Sequence, residues 1–170
     1  MHDIGAQAPE NGLLWLGTPC SSWVILSRSW TRRSILQPEG PPARWTPTKL
    51  RKYVDTHNAL AMLTSLFMKT TMCIGATFIV EQPQSSLLFN YPPIQQTLQR
   101  AKAQKAAFAM RDFLGDSQKQ LVLWGTAGFI VTFQVVAQRR SKAARASNLT
   151  TLASHSGKAS PAKQRSSTTH

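Results

Sequence analysis

Hydrophobic and polar positions divide the chain into short apolar runs separated by strong breaks. Leu13-Leu14-Trp15-Leu16 is a continuous apolar run stopped by Gly17-Thr18-Pro19, the pattern of a buried strand entering a tight loop. From Arg28 to Trp45 the sequence is basic and rich in proline, which predicts a long connection with no element of its own. Thr46-Pro47 then supplies a helix cap followed by proline at the first helical position. Leu50, Val54, His57, Leu60, Ala61, Phe67 and Met68 recur at three- and four-residue intervals, so a helix is expected from about Pro47 to Met72. Gly75 breaks that pattern, and Thr77-Phe78-Ile79-Val80 predicts a second strand that stops at Glu81-Gln82-Pro83. Beyond Tyr91-Pro92-Pro93, the spacing of Ile94, Leu98, Ala101, Ala106 and Phe108 predicts one or two helical pieces ending near Gly115. Leu121 to Trp124 reads as a third strand, and Phe129 to Val136 fits either strand or helix.

A strand, a long connection with a helix, and a second strand form the unit that builds a parallel sheet. The expected fold is therefore α/β: an incomplete Rossmann-like, mostly parallel sheet with flanking helices and a disordered basic C-terminal tail. Residues 1–12 are expected to be a flexible N-terminus, 13–137 the α/β domain, and 138–170 the disordered tail, since Arg139, Arg140, Lys142, Arg145, Lys158, Lys163 and Arg165 lie there with no acidic residue.

The length of 170 residues allows one core of ordinary size and excludes a large multidomain enzyme. A formal charge of +13 makes a polyanion, nucleic acid above all, the expected partner. Two cysteines, Cys20 and Cys73, cannot supply a disulfide framework or a structural zinc site, which fits a reducing, intracellular compartment and no metal. The first twelve residues lack the basic start and apolar run of a secretory signal. Lys69 and Gly75 interrupt the longest apolar stretch, Ala59 to Val80, so no membrane span is expected. A basic tail of this composition serves as a phosphate binder or as a localisation signal, here a nuclear one.

Two strands end in polar motifs, Thr18-Pro19-Cys20-Ser21-Ser22 and Glu81-Gln82-Pro83. In an open α/β sheet, ligands bind in the crevice beyond the carboxyl ends of the strands. If the two strands are parallel, a thiol and a carboxyl come to one edge. A thiolate is the strongest nucleophile that a side chain offers near neutral pH, and a ring nitrogen gaining a proton needs a positioned acid. Set against this, a cysteine in a tight turn is commonly inert, and a glutamate at a strand end is commonly an exposed surface charge. Trp23, Trp30 and Trp45 read as packing residues, Cys73 as a core residue, and His57 as a partly buried polar residue of the helix.

The Pro19-Cys20 pair followed by Val80-Glu81-Gln82-Pro83 resembles the Pro-Cys and Glu-Asn-Val or Glu-Asn-Pro motifs of DNA cytosine-5 methyltransferases, in the same order and strand context. The resemblance implies that Cys20 attacks carbon 6 of a flipped cytosine, that Glu81 holds and protonates the ring at nitrogen 3, and that carbon 5 takes a methyl group from S-adenosylmethionine. It also places Arg28, Trp30, Arg32 and Arg33 in a mobile loop that meets DNA. Arg139 and Arg140 in the tail add phosphate contacts. The family's glycine-rich cofactor loop has no counterpart before Leu13, and Gln82 stands where the family has asparagine. The cofactor-binding residues are thus not identified, and the expectation is a partial catalytic half, with a partner chain as one source of the rest. The alternatives are a non-enzymatic basic nucleic-acid-binding protein and a truncated gene product without activity.

Overall fold

The computed structural model describes residues 12–42, 47–113 and 117–156. Residues 1–11, 43–46 (including Trp45 and the Thr46 cap), 114–116 and 157–170 lie outside the described residues. Four strands form one sheet: β1 Leu13–Leu16, β2 Thr77–Pro83, β3 Gln104–Ala109 and β4 Gln120–Gly125. The helices are α1 Arg28–Thr31, α2 Thr48–Cys73, α3 Pro92–Arg100 and α4 Phe129–Ser156. The fold is mixed α/β.

The strand order is β1-β2-β4-β3. β1 and β2 are parallel, with Leu13 opposite Thr77 and Leu16 opposite Val80. β2 pairs with β4 and β4 with β3, both antiparallel. The expectation of a mostly parallel sheet is therefore corrected: one of the three pairings is parallel. The long path through α2 permits a parallel return, whereas the short connection from β3 to β4 can only fold back on itself.

Side-chain alternation sorts β2 onto two faces. Phe78 and Val80 join Trp23, Ala61, Met68, Leu88 and Ile94 in a core beneath α2 and α3. Ile79 points the other way, into a smaller cluster with Ala106, Leu123, Ala127 and Ile130. There, Phe133 of α4 stacks on Phe113 at 4.6 Å and meets the edge of Phe108 at 4.9 Å. In β1, Leu14 and Leu16 pack on the first core, while Leu13 and Trp15 remain 49% and 51% exposed. β1 has one strand neighbour among the described residues.

Several other expectations change. β2 continues through Glu81-Gln82-Pro83, because β4 pairs with it as far as Pro83 opposite Leu121. The predicted helix beyond Arg100 is strand β3, in which pairing with β4 overrides the weak strand preference of Gln104-Lys105-Ala106-Ala107. Pro47, with no side-chain cap, precedes α2, and a short helix, α1, interrupts the predicted connection. α4 runs to Ser156, so residues 138–156 are helical where a disordered tail was expected. Packing anchors the first turns of α4, and from there the helix propagates at one backbone bond per residue. Cys73, expected in the core, is exposed at the end of α2.

Candidate active-site rim

The parallel pairing of β1 and β2 brings the Cys20 loop and Glu81 to one rim of the sheet. β1 ends at Leu16 opposite Val80, so Glu81 is the first β2 residue beyond it. The loop then turns toward α2. Thr18 Oγ1 lies 2.7 Å from Thr64 Oγ1, and the amides of Trp23 and Val24 both donate to the Cys20 carbonyl. Trp23 is fully buried in the core, which fixes the far end of the loop. The half-buried Cys20 is a free thiol.

The side chain that ties the two strand ends together is Gln82, not Glu81. Gln82 is 1% exposed; its Nε2 donates to the Thr18 carbonyl at 2.5 Å and its Oε1 accepts from Ser86 Oγ at 2.8 Å. Alternation places the half-buried Glu81 on the face of β2 shared with Ile79, opposite the face of Val80 and Gln82. The Pro-Cys loop therefore folds over the α2 side, whereas Glu81 lies within β2 on the other face of the sheet, so the expected opening of both onto one groove is corrected.

Beside Cys20 lies a hydroxyl and imidazole cluster that sequence reasoning missed. Ser21 Oγ is 3.0 Å from His57 Nε2 and accepts from the Tyr53 hydroxyl at 2.8 Å. His57 Nδ1 is 2.9 Å from the Tyr53 carbonyl, so in the neutral ring Nδ1 carries the proton and Nε2 accepts from Ser21. The four-residue spacing of Tyr53 and His57 on α2 was the available signal.

The basic residues expected to meet DNA separate into different environments. Arg33, expected on the DNA-facing loop, is instead 2% exposed. Its guanidinium donates to the carbonyls of Pro38 and Val54, to Asn58 Oδ1 and to Ser22 Oγ, and lies 3.7 Å from the centroid of the Trp23 ring. Burial pushes its pKa down to about 10, so it remains a cation at neutral pH. A loop arginine goes inside here because four acceptors and an aromatic face replace its water. Arg28 is half-buried and donates through Nη2 to the Ser85 carbonyl at 2.8 Å. Trp30 is exposed on one side and packs on Tyr53 at 4.8 Å between ring centroids. Arg32 is exposed and left-handed, with φ 55°, at the end of α1. Arg139 and Arg140 are exposed on α4, where Arg140 reaches the Asp112 carbonyl at 3.4 Å and sits over Phe113 at 5.4 Å.

Among the described residues, no three His, Cys, Asp or Glu side chains group as metal ligands, and no helix is long and apolar enough to cross a membrane. Among the described residues, the glycine that follows β1, Gly17, leads into Thr18-Pro19 and not into the glycine-rich turn at a helix start that would fit S-adenosylmethionine. No family model, no curated protein and no solved structure matches the chain.

Proposed function

We propose that the chain is a partial catalytic half of a DNA cytosine-5 methyltransferase-like protein and acts on a cytosine base through Cys20. The observation that carries this reading is the parallel β1 and β2 pair, whose Gln82–Thr18 bond holds the Pro-Cys loop beside the Glu81-Gln82-Pro83 end of β2. The supporting motif order is Pro19-Cys20 after the first strand and Glu81-Gln82-Pro83 at the end of the second.

In this reading the Cys20 thiolate forms a bond to carbon 6, and the π pair of the C5–C6 bond moves into the ring. Nitrogen 3 takes a proton from water, leaving carbon 5 electron-rich. The base must first leave the duplex stack. No step is assigned to a methyl donor, because the described residues do not fit one. Without it, carbon 5 takes a proton from water, the hydroxide left behind removes the hydrogen originally on carbon 5, and the C5–C6 π bond re-forms as the C6–S bond breaks and nitrogen 3 gives up its proton, so the chain exchanges hydrogen at carbon 5. The test is release of tritium from DNA carrying 5-tritiated cytosine: release by the wild type and none by Cys20→Ala is expected. No release above background overturns the reading.

The missing fit for a methyl donor favours a second reading, a non-enzymatic basic nucleic-acid-binding protein. DNA binding that weakens steeply with salt, together with no exchange, selects it.

A further inference from the structure

A cleft of about 500 Å³ opens between α3 and the β4 and β3 strands, and Cys20 does not line it. It is within the size range of small-molecule sites. Its apolar wall contains Trp124 and Phe89, which meet at 6.1 Å between ring centroids. Amide side chains of Gln84, Asn90, Gln95 and Gln99 line it, and Lys102 and Lys105 supply its positive charge. Lys105 Nζ lies 5.7 Å from the centroid of the Trp124 ring. No carboxylate lines the cleft.

The backbone at Lys102 adds an independent observation. Lys102 has φ 48°, in the left-handed region where glycine or asparagine normally sits. It closes α3: its amide donates to the Gln99 carbonyl at 3.1 Å and the Ala103 amide donates to the Leu98 carbonyl at 3.0 Å. That pair of bonds is the Schellman helix ending, whose left-handed position is usually glycine. A long cation placed there carries backbone strain in the lining of the cleft, and such strain clusters at ligand sites.

We propose that this cleft binds an adenine nucleotide, either free or as part of a single strand. The base stacks on Trp124, as bases do on aromatic side chains of strand-binding proteins. The amides, each offering a donor beside an acceptor, match the adenine edge, which presents the same pair. Lys102 and Lys105 hold the phosphate. The cleft stands independently of Cys20 chemistry.

The test measures equilibrium binding of AMP, of ribose 5-phosphate and of a ten-residue oligodeoxyadenylate to the whole chain. Wild type should bind AMP or the oligonucleotide at least tenfold more tightly than ribose 5-phosphate. AMP as the tighter of the two identifies a free nucleotide as the ligand, and the oligonucleotide as the tighter identifies a strand. Lys102→Gly should fold at least as stably as wild type, since glycine relieves the positive φ, yet bind about tenfold more weakly. Gln99→Ala should lose about fivefold. Cys20→Ala should bind as wild type does, which separates this site from the proposed thiol chemistry. Failure of both AMP and the oligonucleotide to outbind ribose 5-phosphate overturns the proposal, as does undiminished binding by a folded Lys102→Gly protein.

Discussion

Gln82 and Thr18, 64 positions apart, are joined by a side-chain amide donating to a backbone carbonyl at 2.5 Å. The bond spans the ends of two parallel strands and holds the loop that carries Cys20. Replacing Gln82 by Leu leaves the Thr18 carbonyl and the Ser86 hydroxyl without this partner in a buried place. The expected cost is about 2–3 kcal/mol, read as a lower midpoint in urea unfolding. Gln82→Glu should cost more, because an anionic oxygen would face the carbonyl in place of a donor. Unchanged midpoints would show that this bond does not hold the loop.

Arg33 is expected to act on stability and not on DNA contact. Arg33→Lys keeps the charge but loses the planar fork that serves four acceptors, at a cost of about 2 kcal/mol or more. Where DNA binding is observed, its salt slope should be the same in Arg33→Lys as in wild type. The exposed Arg32 is the opposite case: Arg32→Ala should leave the unfolding midpoint nearly unchanged and lower the slope by about one unit. A flattened slope in a folded Arg33→Lys protein would contradict this division.

Tyr91 should give the fold a sensitivity to high pH. Burial raises its hydroxyl above the ordinary value of 10.0, against a smaller opposing influence from Arg33. The folded chain then keeps a proton that the unfolded chain releases, so stability falls as pH rises past about 10. Arg33 works in the other direction: with its pKa lowered to about 10, the folded chain gives up that proton first, and stability rises with pH there. Comparison with Tyr91→Phe isolates the tyrosine together with its coupling to Arg33. The stability of wild type relative to Tyr91→Phe should decline between about pH 9 and pH 11, measured by urea unfolding at each pH; a constant difference would refute the assignment.

Gly125 stands where β4 approaches β2 too closely for a side chain. A Cβ there would stand 2.1 Å from the Phe78 carbonyl oxygen, which accepts from the Thr126 amide at 3.0 Å. Gly125→Ala must push β4 away from β2, at a cost of roughly 3 kcal/mol or more. Gly17→Ala, with no heavy atom within 4 Å of the added carbon, should stay within about 0.5 kcal/mol of wild type. Equal midpoints for the two variants would show that the strands yield easily.

Elements with strong periodic or β-branched patterns were legible in the sequence. The long helix differs by one residue at each end from its expected span, and Thr77 to Val80 forms strand as read. What escaped were features decided by partners distant in the chain. Gln104 to Ala109 carries an alanine-rich pattern that a helix would suit, and only the adjacent β4 makes it a strand. The Rossmann-like expectation rested on a βαβ unit that does exist, but nothing in Leu121 to Trp124 announced that this strand would run in the reverse direction. At the rim, the motifs located the Cys20 loop after β1, but Glu81 lies within β2, because pairing with β4 carries that strand on to Pro83. The burial of Arg33 was hidden because its acceptors come from Ser22, Pro38, Val54 and Asn58, four separate places in the chain.

Among the described residues the β1 margin of the sheet has no second strand beside it, and that margin governs how the protein behaves in company. Leu13 and Trp15 lie uncovered on β1, and Leu63, Leu66 and Phe67 lie uncovered along α2. A strand edge flanked by bare hydrocarbon is a template for self-association. Long-range repulsion from the surplus of lysine and arginine keeps molecules apart in dilute salt. Added salt screens that repulsion while leaving the sticky margin intact, so loss of solubility with rising ionic strength should begin at this border.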